Sequence, residues 1–410
     1  MGEWKEYRLG DMLSIKSGFS YKGKFIGTGN SLLLGMGCVS FKEKFLMSGA
    51  RPYSGPYDER YKVHSGDIVL ATRQQSDNLP ILAMPAMVPE SLKDKDIVIG
   101  TNLYKVEITD TTFSNVYIYW LLKTKQYVNY IAGVKTGTTV SMVTKKNVED
   151  FTFFAPSNPK EREKIASIIS SLDDKITVNK KICENLEAQA QALFKHWFVD
   201  FAPFKDGKFI ESELGLIPEG WRVCSLDELC KCELGGTPSR ANKSYWGGNI
   251  AWINSGEVNK FRICEASEYI TQEGLNHSAT KLLPSKTTVL AITGATLGQI
   301  SLLEIDSCAN QSVVGVKENE NIPYTFIYPS LKGNINKLVN MQTGGAQQHI
   351  NKDNIQSLHI IVPTKNIMEE YKLTTLPLYE EIGKLCFENL RLSTLRDTLL
   401  PKLMSGQIKV

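Results

Sequence analysis

"TKKNVEDFTFFAP" occupies residues 144–156, and "NKDNIQSLHIIVP" occupies residues 351–363. Each sets a Lys, an Asn and a branched apolar residue ahead of an apolar run that a proline closes. The two phrases lie 207 positions apart, and a long helical pattern follows each. A period near 200 residues predicts a duplicated domain plus its connector, not a solenoid.

Other echoes run in the same order. "EWKEYRLGDM" (3–12) is answered by "GWRVCSLDEL" (220–229), and Gly18 in "KSGFS" by Gly235 in "ELGGTPS". "LGMGCVS" (34–40) meets "INSGEVN" (253–259), and "SGDIVLATR" (65–73) meets "SKTTVLAIT" (285–293). "GTNLYKV" (100–106) resembles "CANQSVVGV" (308–316), and "KTGTTVSMVTKKNV" resembles "QTGGAQQHINKDNI". Short β-branched runs bounded by Gly, Pro, Ser and Asn predict strands and turns. Residues 114–133 and 323–341 predict helices of about four turns. Each half is therefore expected to be an α+β globule.

After each closing proline the pattern becomes helical. Ile165, Leu172, Asn179, Leu186 and Leu193 recur every seven residues, with Ile169, Ile176, Cys183, Ala190 and Trp197 four further on. Tyr371, Leu378, Leu385, Leu392 and Leu399 form a second ladder, with Thr375, Ile382, Asn389, Arg396 and Leu403. Such spacing predicts a coiled-coil seam. If the helices run antiparallel about a pseudo-two-fold axis, residues whose numbers sum to 568 face each other. Ile169 then meets Leu399, Ile176 meets Leu392, Cys183 meets Leu385, Leu186 meets Ile382 and Trp197 meets Tyr371. Asn179 falls opposite Asn389, a pair that fixes register because a slip sets an amide against leucine. Pro377 predicts a kink or restart near residues 374–376, and Pro401 a limit to the end. Leu172 opposite Arg396 is a poor layer. Helices of this length measure about 55 Å and would act as a ruler. Readers roughly 35 Å apart would meet one face of B-DNA a helical turn apart.

The formal charge of +3 does not by itself announce nucleic-acid binding. Residues 1–158 hold 19 Lys and Arg against 15 Asp and Glu, whereas 216–363 hold 12 against 13, so any DNA contact is local. The start, "MGEWKEYRLGDM", lacks the apolar core of a signal peptide, and no apolar run approaches the roughly 20 residues of a membrane span. Cys224, Cys230 and Cys232 cluster without a second ligand pair at finger spacing. The eight cysteines therefore read as reduced thiols of a cytoplasmic protein.

"PSNPKEREKIASIISSLDDKI" (156–176), "ENLEAQAQALFKHWFVDFAPF" (184–204), "LGLIPEGWRV" (214–223) and "TLLPKLMSGQI" (398–408) resemble the DNA-specificity subunits of type I restriction–modification systems. The resemblance spans the whole chain. It implies an α+β fold of two repeated globular target-recognition domains, separated by two long antiparallel coiled-coil helices. The expected boundaries are 1–157 for the first recognition domain, 158–215 for the central spacer (long helix about 160–198), 216–363 for the second domain and 364–410 for the C-terminal spacer. The resemblance also implies a non-catalytic subunit whose domains each read half of a split double-stranded DNA target. Two methyltransferase subunits, which would carry S-adenosylmethionine, are implied as partners, with two restriction subunits that would use ATP and Mg. No cofactor or metal is expected in this chain, and no membrane partner.

The motifs agree with that division of labour. There is no Asn/Asp-Pro-Pro-Phe/Tyr stretch for a flipped adenine and no G-x-x-x-x-G-K-[ST] phosphate loop. "GTGNSLLLGMG" (27–37) reads as a turn-rich strand region. The rivals are an enzyme with degenerate motifs and a protein-binding coiled-coil scaffold without DNA readout.

Base reading needs forked or amide side chains on loops that face a groove, with cations and hydroxyls for phosphates. Three paired places qualify. The first holds Lys22 and Lys24, answered by Thr237, Ser239, Arg240, Lys243 and Tyr245. The second holds Arg73, Gln74 and Gln75 (with Asn78), answered by Thr293 and Gln299. The third holds Lys135, Thr136, Thr138, Lys145 and Lys146, answered by Gln342, Gln347, Gln348 and Lys352. The competing reading of each loop is a solvated turn. Lys145 and Lys352 recur beside Asn147 and Asn354, as scaffold or phosphate anchors.

Overall fold

A computed structural model describes residues 3–75, 80–341 and 349–410. The chain divides into two compact units, one of residues 1–175 with 392–410 and one of residues 176–391.

In the first unit the repeated phrase folds as a capped turn followed by a strand. Thr144 is the N-cap of the short helix Lys145–Glu149, and Asn147 closes a capping box with it. The strand Thr152–Pro156 then pairs antiparallel with the opening strand Trp4–Arg8. The second unit repeats this: Asn351 caps Lys352–Gln356, Asn354 closes the box, and His359–Val362 pairs with Arg222–Ser225. The recurrent Asn is thus a helix-start signal, because its side chain satisfies backbone N–H groups that the first turn leaves unpaired.

The other echoes also share topology. In the first unit, four antiparallel strands run in the order Leu13–Ser17, Leu103–Ile108, Ile68–Ala71, Pro85–Met87. In the second, the order is Lys231–Leu234, Val313–Lys317, Thr288–Ala291, Ile300–Leu302. A second sheet in each unit contains a parallel pair, Ile26–Leu34 with Ile97–Ile99 and Trp246–Ile253 with Cys308–Ala309. The paired glycines are a steric requirement of this arrangement. A Cβ on Gly18 would lie 2.2 Å from the Gly100 carbonyl oxygen, and one on Gly235 would lie 2.2 Å from that of Asn310.

Two 40-residue helices, Pro159–Phe198 and Lys365–Met404, carry the ladders. Within the second unit their segments run antiparallel. The Asn179 amide nitrogen donates to Asn389 Oδ1 at 3.0 Å and to Glu388 Oε2 at 2.7 Å. Cys183 and Leu186 pack with Ile382 and Leu385, Ala190 with Tyr379, and the Trp197 ring lies 5.7 Å from that of Tyr371. In the first unit Ile165, Ala166 and Ile169 share a core with Leu399, Leu400 and Leu403.

Three expectations need correction. The seam is not strictly heptad: Asp173, Glu187 and Tyr379 are buried where Leu172, Leu186 and Leu378 are only half-buried. A 3.6-residue helix drifts about 20° per heptad against a 3.5 repeat, which moves the buried row by one position. Arg396 therefore meets Asp173, at 2.6 Å, and not Leu172. Pro377 and Pro401 both lie inside the continuous C-terminal helix. Pro377 is exposed, and Leu373, whose carbonyl loses its helical partner, is 72% exposed, so the break falls on the solvent side of the helix. Finally, residues 114–133 form two helices, Asn115–Leu121 and Lys125–Val134. Thr124 ends one and begins the other, donating to the Leu121 carbonyl at 2.7 Å and accepting from the Tyr127 N–H.

The central helix is joined to the second globule by buried charge. In the second unit Arg262, with a fully buried side chain, donates to Glu187 at 2.7 Å and stands 3.7 Å from Glu304. Lys332 donates to Glu187 at 2.8 Å, and Lys286 pairs with Glu304. Burial opposes the charged Glu187, but Arg262 and Lys332 outweigh it and hold the carboxyl below its ordinary value. A lowered carboxyl stabilises the fold above its unfolded pKa, and that stability is lost as pH falls through the folded value. Replacing Arg262 with Met is expected to destabilise the chain by about 3 kcal/mol or more, since two buried carboxylates lose a partner; denaturant unfolding at pH 7 measures it. Gly235→Ala is expected to cost about 1–3 kcal/mol through the enforced clash, read as a lower thermal midpoint.

Candidate nucleic-acid interface

The end of the Val-Leu-Ala strand and the residue before the capping box meet in both units. In the first, Val143 N–H donates to the Thr72 carbonyl at 3.2 Å, and Ser141–Met142 pairs antiparallel with Arg73–Gln74. In the second, Ile350 N–H donates to the Ile292 carbonyl at 3.1 Å, and Thr293 bridges to His349. The second and third places are therefore one surface in each half, assembled by backbone hydrogen bonds that leave side chains free to differ.

On the first of these surfaces Arg73, Gln75, Thr136, Thr138, Lys145 and Lys146 are exposed, and Lys135 is half-buried. Thr136 and Met142 exchange backbone hydrogen bonds at 3.0 and 2.8 Å, which narrows the loop between them. Gln74 departs from the expected groove-facing amide. It is buried, and its Oε1 accepts from the N–H groups of Ile81 and Leu82 at 2.9 and 3.0 Å. Gln74 thus shapes the loop after the strand; Asn78 in that loop lies outside the described residues.

On the second surface Thr293 and Gln299 flank the short turn Gly294–Thr296, which Thr296 Oγ1 closes onto the Thr293 carbonyl at 3.1 Å. Gln299 is half-exposed as a residue, yet its Oε1 is buried without a hydrogen bond among the described residues. Lys352 is half-buried at the first position of the capped turn. Gln342, Gln347 and Gln348 lie outside the described residues.

The first place is built differently in the two halves. Lys22 and Lys24 are exposed around the turn Gly23–Phe25, with Lys24 Nζ 5.0 Å from the Phe25 ring centre. In the second half the Arg240 guanidinium lies 3.6 Å over Trp246 and 5.1 Å from Trp252, and is paired through both nitrogens with Glu268. Hydrogen bonding from Arg240 lowers the Glu268 carboxyl, and Glu268 in turn raises the guanidinium, so both stay charged. The fork is held flat by the indole and aimed by the carboxylate. Beside it Tyr245 stacks on His277 with ring centres 6.2 Å apart, Thr237 Oγ1 lies 2.5 Å from Gln311 Oε1, and Ser239 and Lys243 are exposed. Glu268, Trp252 and Gln311 were not foreseen, although a Trp pair six residues apart in "WGGNIAW" beside an Arg is a visible signal for a stacked cation.

Cys224, Cys230 and Cys232 are buried in the apolar core of the second unit, where burial pushes the Cys230 thiol up to about 12. All eight cysteines are free. Among the described residues no helix is long and apolar enough to cross a membrane.

A family model described as "Type I restriction modification DNA specificity domain" matches residues 1–188 and again residues 218–371. The specificity subunit of the type I restriction enzyme HindI from Haemophilus influenzae is 26% identical over the full length of both chains. That of MjaIX from Methanocaldococcus jannaschii is 29% identical over 72% of this chain and 69% of its own. The fold is similar to that of a type I restriction–modification S subunit from M. genitalium, with a TM-score of 0.62 at 15% identity, covering 98% of this chain and 96% of the other. With a specificity-domain match in each half and the same strand order beneath both, the chain belongs to the type I restriction–modification DNA specificity family.

Proposed function

We propose that this chain is the sequence-reading subunit of a type I restriction–modification complex and performs no chemistry itself. Each half reads one part of a bipartite double-stranded DNA target, and the long helices set the number of base pairs between the parts. The observation that carries this reading is the pairing of loops at residues 73–74 with 141–142 and at 293 with 349. The same backbone frame in both halves presents Arg73, Gln75 and Thr138 in one and Thr293 and Gln299 in the other. A common frame with different side chains suits two unlike half-sites. We assign recognition domains to 1–157 and 216–363, and helical spacers to 158–215 and 364–410.

The partners are two methyltransferase subunits, which bring S-adenosylmethionine, and two restriction subunits, which use ATP and Mg. Exposed lysines such as Lys22, Lys24, Lys145, Lys146 and Lys243 suit phosphates, whereas Arg240, whose two terminal nitrogens Glu268 holds, offers a base edge the N–H groups outside that pair. With a modest charge on each half, affinity rests on few phosphate contacts.

Gel shifts with and without purified methyltransferase subunit test the assignment: sequence-dependent binding should appear or tighten greatly with the partner. No DNA binding with or without the partner would leave a protein-binding scaffold instead. Within the complex, Arg240→Ala is expected to weaken binding by about 1–3 kcal/mol and relax the second half-site only. Lys145→Ala should weaken all sequences alike. Removing one heptad from each long helix should change the gap and leave the half-sites intact, as mapping of modified adenines would show.

A further inference from the structure

Gln311 occupies the turn between the strands Cys308–Ala309 and Val313–Lys317, outside the three paired places. Backbone hydrogen bonds fix this turn. Asn310 N–H donates to the Ile253 carbonyl at 3.0 Å, and Val313 N–H to the Asn310 carbonyl at 3.1 Å. Ser312 N–H donates to Asn310 Oδ1, also at 3.1 Å. On one side Ile292 N–H donates to the Ser312 carbonyl at 2.9 Å, and on the other Gly236 N–H donates to that of Ala309 at 2.8 Å. The turn therefore lies between the strand end that leads to Thr293 and the loop that carries Arg240.

On this fixed backbone the Gln311 side chain is exposed, and the half-buried Thr237 orients it. The Thr237 hydroxyl donates to Gln311 Oε1 at 2.5 Å, and among the described residues Nε2 makes no hydrogen bond. One lone pair of Oε1 and both N–H groups of Nε2 remain to be used. An acceptor and a donor side by side match adenine, whose major-groove edge offers the N6 amino group and N7. Guanine offers two acceptors there, so its O6 would face Oε1. The first half holds no amide at this place. Gly18 N–H donates to the Leu103 carbonyl as Gly235 N–H does to that of Val313, each at 3.0 Å, which makes Thr101 the counterpart of Gln311. The Thr101 hydroxyl turns back onto the Phe19 carbonyl at 2.9 Å.

Resting on the DNA-reading role of the second half, we propose that Gln311 reads one adenine of that half-site. Nε2 donates to adenine N7, and the free lone pair of Oε1 accepts from the N6 amino group. Thr237 is a positioning residue, which holds the amide through its hydroxyl and leaves the base to Gln311. The fixed turn and the Thr237 bond order the amide before DNA arrives, so less side-chain freedom is lost on binding.

The test uses the full chain in complex with the methyltransferase subunit. Mapping of modified adenines first defines the two half-sites. Each adenine of the second half-site is then replaced in turn by 7-deazaadenine, which lacks the N7 acceptor, and the duplexes are compared in gel shifts. At one position the unaltered complex should lose about tenfold in affinity. Gln311→Ala should be indifferent to that replacement and should accept other bases there. Thr237→Val should weaken the preference at the same position, and Thr237→Ser should restore it. Reading of the first half-site by the same variants reports that they are folded. A second half-site without adenine, or equal binding of the unaltered complex to every modified duplex, would overturn the assignment whatever the variants do. Full sensitivity kept by Gln311→Ala would overturn it as well. These results leave a split motif in place, whereas absence of any bipartite motif would overturn the DNA-reading role and this assignment together.

Discussion

A single amide contact sets the alignment on which the second unit depends. Asn179 is wholly buried among apolar seam residues, and its nitrogen reaches both Asn389 and Glu388. Its own Oδ1 is buried with no hydrogen bond among the described residues, so the contact is a poor contributor to stability. Its value lies in discrimination. Sliding one segment by a turn would set the amide against leucine or isoleucine and leave a buried donor unmade, which costs about 1–3 kcal/mol. Apolar layers alone, Cys183 and Leu186 on Ile382 and Leu385, would tolerate such a slip.

Around that alignment the two halves reuse one frame. The opening strand pairs with the strand after the capped turn, and the Val-Leu-Ala strand holds the residue before the cap. The glycines at 18 and 235 let a neighbouring strand end approach to a distance no Cβ permits. None of these groups needs to face a ligand. Variation is left to side chains on the same loops, where an arginine–threonine surface in one half stands in place of a threonine–glutamine surface in the other. The proposed reading of two unlike half-sites rests on this separation of backbone and side-chain roles.

Much of this was legible because duplication makes the sequence its own comparison. The repeated α+β halves, the Asn pair and the antiparallel seam follow from matching one half to the other. What escaped notice depends on three-dimensional neighbours. The buried Arg262–Glu187–Glu304 network joins residues far apart in sequence, and its charges look like an ordinary solvated face. Gln74 looks like a reader, since nothing in "TRQQ" reveals that two backbone N–H groups will claim its oxygen. The one-position drift of the buried row, with Tyr379 displacing Leu378, reflects helical geometry that a strict seven-residue count ignores. The solvent-facing position of Pro377, which lets the helix run through it, is likewise set by three-dimensional neighbours.

The account stands most directly on the coupling between Asn179 and Asn389. A double-mutant cycle of Asn179→Ala and Asn389→Ala, read by denaturant unfolding of the full chain, measures it. Side chains in direct contact should show an interaction energy of about 0.5–3 kcal/mol. Strict additivity of the two substitutions would mean that the amides do not meet and that the segments are aligned by something else.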